Sequence, residues 1–158
     1  MAVEFSPEAL KKFDAIVSRY PKKEAAMIPV LYLAQQEFGY LSPEAIEYVA
    51  KIMEVPAARV YGVVTFYTML NMKPIGKYHI QVCRTLPCAL AGSEQITALL
   101  KRRLGINAGE TTADGKFTLS EVECLASCGT GPMMQINDDY HENLSEQRVE
   151  EILEKLRP

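Results

Sequence analysis

The sequence predicts an α/β chain in two parts: a bundle of short helices over residues 1–75, then a compact β-α-β-β-α unit over 76–158. Three observations predict it. Through the first 75 residues apolar side chains recur at helical period, and the runs open on proline or on Ser-Pro-Glu. From Pro74 onward alternating, β-branched stretches appear, separated by helical ones. All four cysteines, Cys83, Cys88, Cys124 and Cys128, fall in the second part.

Ser6-Pro7-Glu8 reads as an N-cap, a proline at N1 and an acid in the first turn. Leu10, Phe13, Ile16, Val17 and Tyr20 then supply an apolar face. A second helical segment runs from Lys22 to Phe38 and stops at Gly39, with a kink or break expected at Pro29. Ser42-Pro43-Glu44 repeats the start signal ahead of the stripe Ile46, Val49, Ala50 and Met53. Pro56 opens a fourth helix, expected to end at about Tyr61 or slightly beyond. In the second part, Lys77 to Val82 predicts a strand and Leu90 to Leu104 a helix. Lys116 to Val122 predicts a second strand after an Asp114-Gly115 turn, and Met133 to Asn137 a third, with a tight turn at Asp138-Asp139. Ser145 caps a last helix with Val149, Ile152, Leu153 and Leu156 on one face. Its glutamates, Glu146, Glu150, Glu151 and Glu154, form a solvated face. The order resembles a thioredoxin-like unit and also suits other small α/β folds.

Composition removes several function classes. Hydrophobic residues make up 48% of the 158 residues and charged ones 23%, the balance of a globular protein. Net charge is −3, so no basic footprint for nucleic acid or anionic lipid exists. That charge lies in the second part: eight basic and eight acidic residues precede residue 76, nine and twelve follow. The start, MAVEFSPEAL, lacks the cationic region of a signal peptide. The uncharged stretch Val60 to Met72 would span only ~20 Å as a helix, short of a ~30 Å hydrocarbon core. No G-x-G-x-x-G and no G-x-x-x-x-G-K-[ST] occurs.

The cysteines follow the pattern C-x4-C, 35 residues, C-x3-C. Each pair lies in a loop after a predicted strand, so two loops at one sheet edge would bring the pairs together. Four unrelated buried thiols suit two tight pairs flanked by Pro87, Gly129, Gly131 and Pro132 poorly. Disulfides are disfavoured in a chain with no secretory signal, and a redox C-x-x-C is missing. Structural zinc takes four thiolates, but ribbons and knuckles favour two residues inside each pair. A [2Fe–2S] cluster takes two thiolates per iron, so its ligand pairs need not converge on one point. The spacing is not the plant-type run, and His79 and His141 stand in no Rieske-like relation to the cysteines. They read as a strand residue and a surface turn residue. Chemistry alone favours iron–sulfur and leaves zinc, in a non-redox interaction module, open.

Three segments carry a specific resemblance: Val82-Cys83-Arg84-Thr85-Leu86-Pro87-Cys88, Cys124-Leu125-Ala126-Ser127-Cys128, and Gly131-Pro132-Met133-Met134-Gln135-Ile136-Asn137. They resemble the family of thioredoxin-like [2Fe–2S] subunits found in the NADH-oxidising (NADH dehydrogenase) module of respiratory complex I, the NADH-quinone oxidoreductase. The likeness extends to Ala57–Tyr67, Ile28–Leu31 and Gly39–Ser42. It implies a thioredoxin-like [2Fe–2S] ferredoxin domain over 76–158 with Cys83, Cys88, Cys124 and Cys128 as ligands of one cluster. It also implies an electron-transfer role inside an oxidoreductase, with no complete active site on this chain. FMN, the NADH site and a [4Fe–4S] cluster would belong to a larger partner subunit. The assembly would be a membrane-bound, quinone-reducing translocase, this chain lying on its cytoplasmic side without inserting. The resemblance spans soluble NAD-linked hydrogenases and formate dehydrogenases as well.

Around such a cluster, the N-terminus of the Leu90–Leu104 helix would face the sulfurs, and Gly129 and Gly131 would let backbone approach. Arg84 either sets a positive charge beside the first ligand or points to solvent. Val60–Met72 reads as buried core, with docking on the flavin subunit as the alternative.

Overall fold

Ser6 and Ser42 each place a hydroxyl oxygen where a first helical turn needs an acceptor. Ser6 Oγ takes the Ala9 N–H and Ser42 Oγ the Ala45 N–H, both at 3.2 Å. They open α1 (Pro7–Val17) and α3 (Pro43–Met53). The structure, a computed structural model describing residues 3–156, adds α2 (Met27–Phe38) and α4 (Ala57–Phe66). The break expected at Pro29 falls earlier. A 3₁₀ turn over Lys23–Ala26 leads into α2, and Pro29 occupies the first turn of that helix, where its missing donor has no intrahelical partner. The fourth helix runs on past Tyr61 to Phe66.

These helices bury one face each. Phe13, Leu31, Ile46, Val49, Met53, Val60 and Val64 belong to one core, and Phe5 stacks on Phe38 at 5.5 Å. Leu10, expected on that face, is exposed. In the stretch from Val60 to Met72, Val60, Val64 and Leu70 are buried, and Val63, Tyr67 and Met72 pack against them. Tyr61, Phe66 and Met69 remain exposed.

The chain forms two compact units, Met1–Pro74 and Ile75–Pro158. In the second, β1 (Tyr78–Cys83) leads to α5 (Leu86–Leu90), α6 (Ser93–Leu104), β2 (Phe117–Val122), β3 (Met134–Ile136), β4 (Asp139–His141) and α7 (Glu146–Leu156). The sheet order is β2-β1-β3-β4, with β1 and β2 parallel and the other pairings antiparallel. The α/β class is as predicted, with two differences. The helix expected over Leu90–Leu104 is two helices, parted at Gly92, whose φ of 106° is outside the helical range. The turn expected at Asp138-Asp139 starts one residue earlier, with Asn137 at a φ of 54°, and Asp139 begins a short fourth strand. His141, read as a turn residue, is therefore a half-buried strand residue.

Each sheet edge offers little free ladder. Residues 109–112 lie along β2: Gly109 N–H donates to Leu119 O at 2.7 Å and Thr112 N–H to Phe117 O at 2.8 Å. The other edge, β4, is three residues long. Ile80, Leu100, Leu119, Met134 and Val149 fill the core beneath, each burial contributing about 1.5–3 kcal/mol.

His79 sits in this strand system, its Nε2 2.8 Å from Ser120 Oγ on β2. Burial pushes its pKa below the ordinary histidine value. A base that is harder to protonate when folded takes up its proton on unfolding. The stability it preserves is therefore present above about pH 6.5 and falls as pH drops below that. Thermal unfolding followed from pH 7.5 to pH 5.5 should show a decline that His79→Gln makes shallower; parallel curves would count against this origin.

Candidate metal centre

Parallel pairing of β1 and β2 decides where the cysteines meet. Cys83 is the last residue of β1 and lies opposite Val122, the last of β2. The chain therefore leaves both strands at the same sheet edge, one turning into α5 and the other into the loop that carries Cys124 and Cys128. Arg84 N–H donates to Val122 O at 2.9 Å, which extends the pairing one step past the strand. On the other side Cys83 N–H donates to Met133 O at 3.3 Å, so the segment leading into β3 closes the site.

Cys83 and Cys88 are buried and share a small cluster with Met133 and Leu125, whereas Cys124 and Cys128 are exposed. Cys88 lies inside α5, not ahead of the long helix, and α6 starts only at Ser93. The long helix therefore starts five residues past Cys88, with the rest of α5 between them, and single backbone donors also reach the thiols. Ala126 N–H donates to Cys124 Sγ at 3.2 Å, with Ala126 held at a φ of 61°. Gly131 is needed for close approach: a Cβ there would stand 3.3 Å from Cys88 Sγ. A Cβ at Gly129 would meet nothing within 4 Å.

The four thiols influence one another as two pairs. Cys124 Sγ and Cys128 Sγ are 3.9 Å apart. Burial first, then the neighbouring Cys83 thiol, pushes Cys88 up to about 11. The hydrogen bond and charge of Cys124 raise Cys128. Cys83 moves the other way: burial opposes its ionisation, but the Thr85 hydroxyl and the backbone of Leu125 and Thr85 outweigh that. Cys128 also feels Cys83, and Cys88 feels Cys128, so the pairs are within electrostatic reach of each other. Ionising the whole set without a positive partner is costly, and soft cationic metals supply that charge to thiolates. Among the described residues no three Cys, His, Asp or Glu side chains are grouped around a single-ion site.

Two further features escape the cysteine spacing. Arg84 does not stand free: its Nε and Nη2 donate to Glu123 Oε1 at 2.9 and 2.6 Å. The residue after Cys83 is thus paired with the residue before Cys124, across the two loops. Glu142 accepts from the hydroxyls of Ser127 and Thr130, which lie on either side of Cys128, and these bonds hold the Glu142 carboxyl below the usual range. The spacing rule marks neither carboxylate: Glu123 adjoins Cys124 in the chain without being part of the pattern, and only the return of the chain from β4 brings Glu142 there. α5 also leaves Leu86 and Leu90 exposed, at 70% and 80%, on either side of Cys88.

A family profile described as thioredoxin-like [2Fe–2S] ferredoxin matches residues 13–157. The chain is 50% identical over 154 residues to a protein of Rickettsia prowazekii (strain Madrid E) named as a subunit of NADH-quinone oxidoreductase, covering 96% of this chain and 87% of that one. It is 45% identical over 147 residues to a protein of Rhizobium meliloti (strain 1021) that is likewise named as a subunit of NADH-quinone oxidoreductase, covering 93% and 88%. Among solved structures, an NAD+-reducing [NiFe]-hydrogenase in the air-oxidized state has a TM-score of 0.70 at 20% identity over 80% of this chain, and the match spans 22% of that longer chain. At that identity the likeness is one of fold.

Proposed function

The chain belongs to the thioredoxin-like [2Fe–2S] ferredoxin family, and from that premise we propose that it is the electron-transfer subunit of an NADH:quinone oxidoreductase. In this reading Cys83, Cys88, Cys124 and Cys128 hold one [2Fe–2S] cluster, which exchanges single electrons with the FMN of a larger partner subunit. The observation that carries it is the meeting of two thiol pairs at one sheet edge, in a chain about half identical to proteins that bear the NADH-quinone oxidoreductase name. A two-plus-two donor set suits a bridged pair of irons, each of which takes two thiolates. The bound cluster would supply one-electron chemistry, while nicotinamide chemistry moves two electrons and needs a flavin between.

This chain's own residues then do three things. β1 and β2 present the thiols, Gly131 leaves room for the Cys88 sulfur, and backbone donors such as Ala126 N–H stabilise negative charge on sulfur. NADH, FMN and a [4Fe–4S] cluster are assigned to the partner subunit, and the quinone-reducing assembly is read as membrane-bound. No helix among the described residues is long and apolar enough to cross a membrane. We also read the chain as two domains, 1–75 and 76–158, which the compact units Met1–Pro74 and Ile75–Pro158 support. In this reading part of Val60–Met72 docks on the flavin subunit, which the exposure of Tyr61, Phe66 and Met69 supports. The equivalent role in a soluble hydrogenase or formate dehydrogenase has less support, because the relatives at 45–50% identity carry the quinone-reductase name.

Anaerobically purified protein should contain about two irons and about two acid-labile sulfides per chain and give a reduced-state EPR signal. NADH should reduce it only when the flavin subunit is added. A colourless zinc protein would overturn the cluster, and a cluster reduced by NADH without a partner would overturn the division of labour. Arg84→Ala leaves Glu123 unpaired next to Cys124, and the uncompensated charge should lower the cluster's midpoint potential modestly. Redox titration checks this; an unchanged or raised midpoint would count against it.

A further inference from the structure

The outer thiol pair is exposed, so packing does not hold it as it holds Cys83 and Cys88. The loop from Cys124 to Pro132 contains only a 3₁₀ turn at Cys128–Thr130, and Ala126 within it is held at positive φ. Its restraint comes from elsewhere: the five residues Tyr140 to Leu144, the last two of β4 and the three that follow it. Tyr140 Oη donates to Leu125 O at 2.8 Å. Glu142 Oε1 accepts from both Ser127 Oγ and Thr130 Oγ1, and those hydroxyls are themselves 2.6 Å apart. Asn143 N–H donates to Thr130 O at 2.7 Å and Leu144 N–H to Pro132 O at 2.9 Å. Every second or third residue of the loop is therefore tied to one short strap, which runs from exposed Tyr140 to buried Leu144.

We propose that Glu142 is a positioning residue for the outer thiol pair: through Ser127 and Thr130 it fixes the backbone on both sides of Cys128, and its fixed negative charge behind that loop resists the added electron. The inference rests on the four-thiol reading and adds to it a residue whose side-chain hydrogen bonds go to Ser127 and Thr130. Ser127 precedes Cys128 and Thr130 is two residues past it, so both tethers act on the peptide units that aim the Cys128 sulfur. Two hydroxyls that share one carboxylate make charge-assisted hydrogen bonds, the stronger kind. Groups that orient a metal's own ligands commonly change metal affinity by about 10- to 100-fold when removed.

The test compares full-length wild type, Glu142→Ala and Glu142→Gln, each loaded with cluster. Loss of visible absorption in excess chelator reads retention, and EPR-monitored titration reads midpoint potential. Glu142→Ala should release iron about tenfold faster than wild type or more. Glu142→Gln keeps an oxygen acceptor without the charge, so it should release iron at close to the wild-type rate and have a raised midpoint. Hydrogen exchange on the metal-free proteins should show faster exchange at the loop amides in Glu142→Ala than in Glu142→Gln. If Glu142→Ala folds too poorly to load, the midpoint of Glu142→Gln decides alone. Wild-type release by Glu142→Ala, or an unchanged midpoint in Glu142→Gln, overturns the inference while leaving the cluster intact. A wild-type chain that binds no iron overturns the four-thiol reading and the inference together.

Discussion

Cys128→Ala should leave a folded protein that no longer retains iron. Cys128 is exposed, so truncating it costs little stability, within about 0.5 kcal/mol for a surface position. Removing one thiolate leaves one iron with a single protein ligand, so iron and sulfide should fall from about two of each per chain to near zero. Visible absorption and the reduced-state EPR signal should disappear with them, while far-UV circular dichroism keeps its shape. Cys124→Ala, equally exposed, should behave in the same way. Cys83→Ala and Cys88→Ala are expected to lose the cluster too, but they also open space among Met133 and Leu125 and should lower the Tm. The exposed pair therefore gives the cleaner experiment, because loss of metal there cannot be blamed on the core. Full iron content in Cys128→Ala would remove that residue from the ligand set.

Gly76→Ala should produce the largest loss of stability from a single added methyl group. A Cβ at this position would stand 2.9 Å from the backbone carbon of Lys116 and from the backbone nitrogen and carbon of Phe117. These are backbone atoms where β2 begins, so no side-chain rotation relieves the clash. The Gly76 N–H also donates to Thr118 Oγ1 at 2.6 Å, and pushing the chain outward weakens that bond. Overpacking commonly costs about 1–3 kcal/mol, and with an unyielding neighbour a cost of about 3 kcal/mol is expected. For a unit of this size that lowers the Tm by roughly 12 °C or more. Thermal unfolding followed by circular dichroism measures it, and a Tm within about 2 °C of wild type would show that the strand end gives way easily.

Local signals carried much of the fold. The Ser-Pro-Glu starts at residues 6 and 42 produced capped helices, and Ile46, Val49, Ala50 and Met53 are all buried. Periodicity located β1, β2 and α7 to within a residue or so. Boundaries failed where a backbone conformation competes with periodicity. No charged residue or proline interrupts Ala89 to Ser93, yet Gly92 leaves the helical region and splits the helix. Asp139–His141 is too short to alternate visibly, and its strand character comes from pairing with β3. At the candidate site, residue types and spacing singled out four thiols, and the parallel register that brings their loops to one edge is a tertiary fact. The Arg84–Glu123 pair and the Glu142 tether span 39 and at least 12 positions, and no local pattern announces either.

The treatment of the sheet's borders bears on the life of the chain before any partner arrives. A border strand with free N–H and C=O groups invites another molecule to add to it, and a newly made polypeptide at high local concentration is the most vulnerable to that. Here the first half of one border is already occupied by the chain's own residues 109–112, and the other offers only three residues beginning with an aspartate. Neither gives a length of ladder on which a second copy could grow. Growth of a ladder from one copy to the next is thereby disfavoured at both borders.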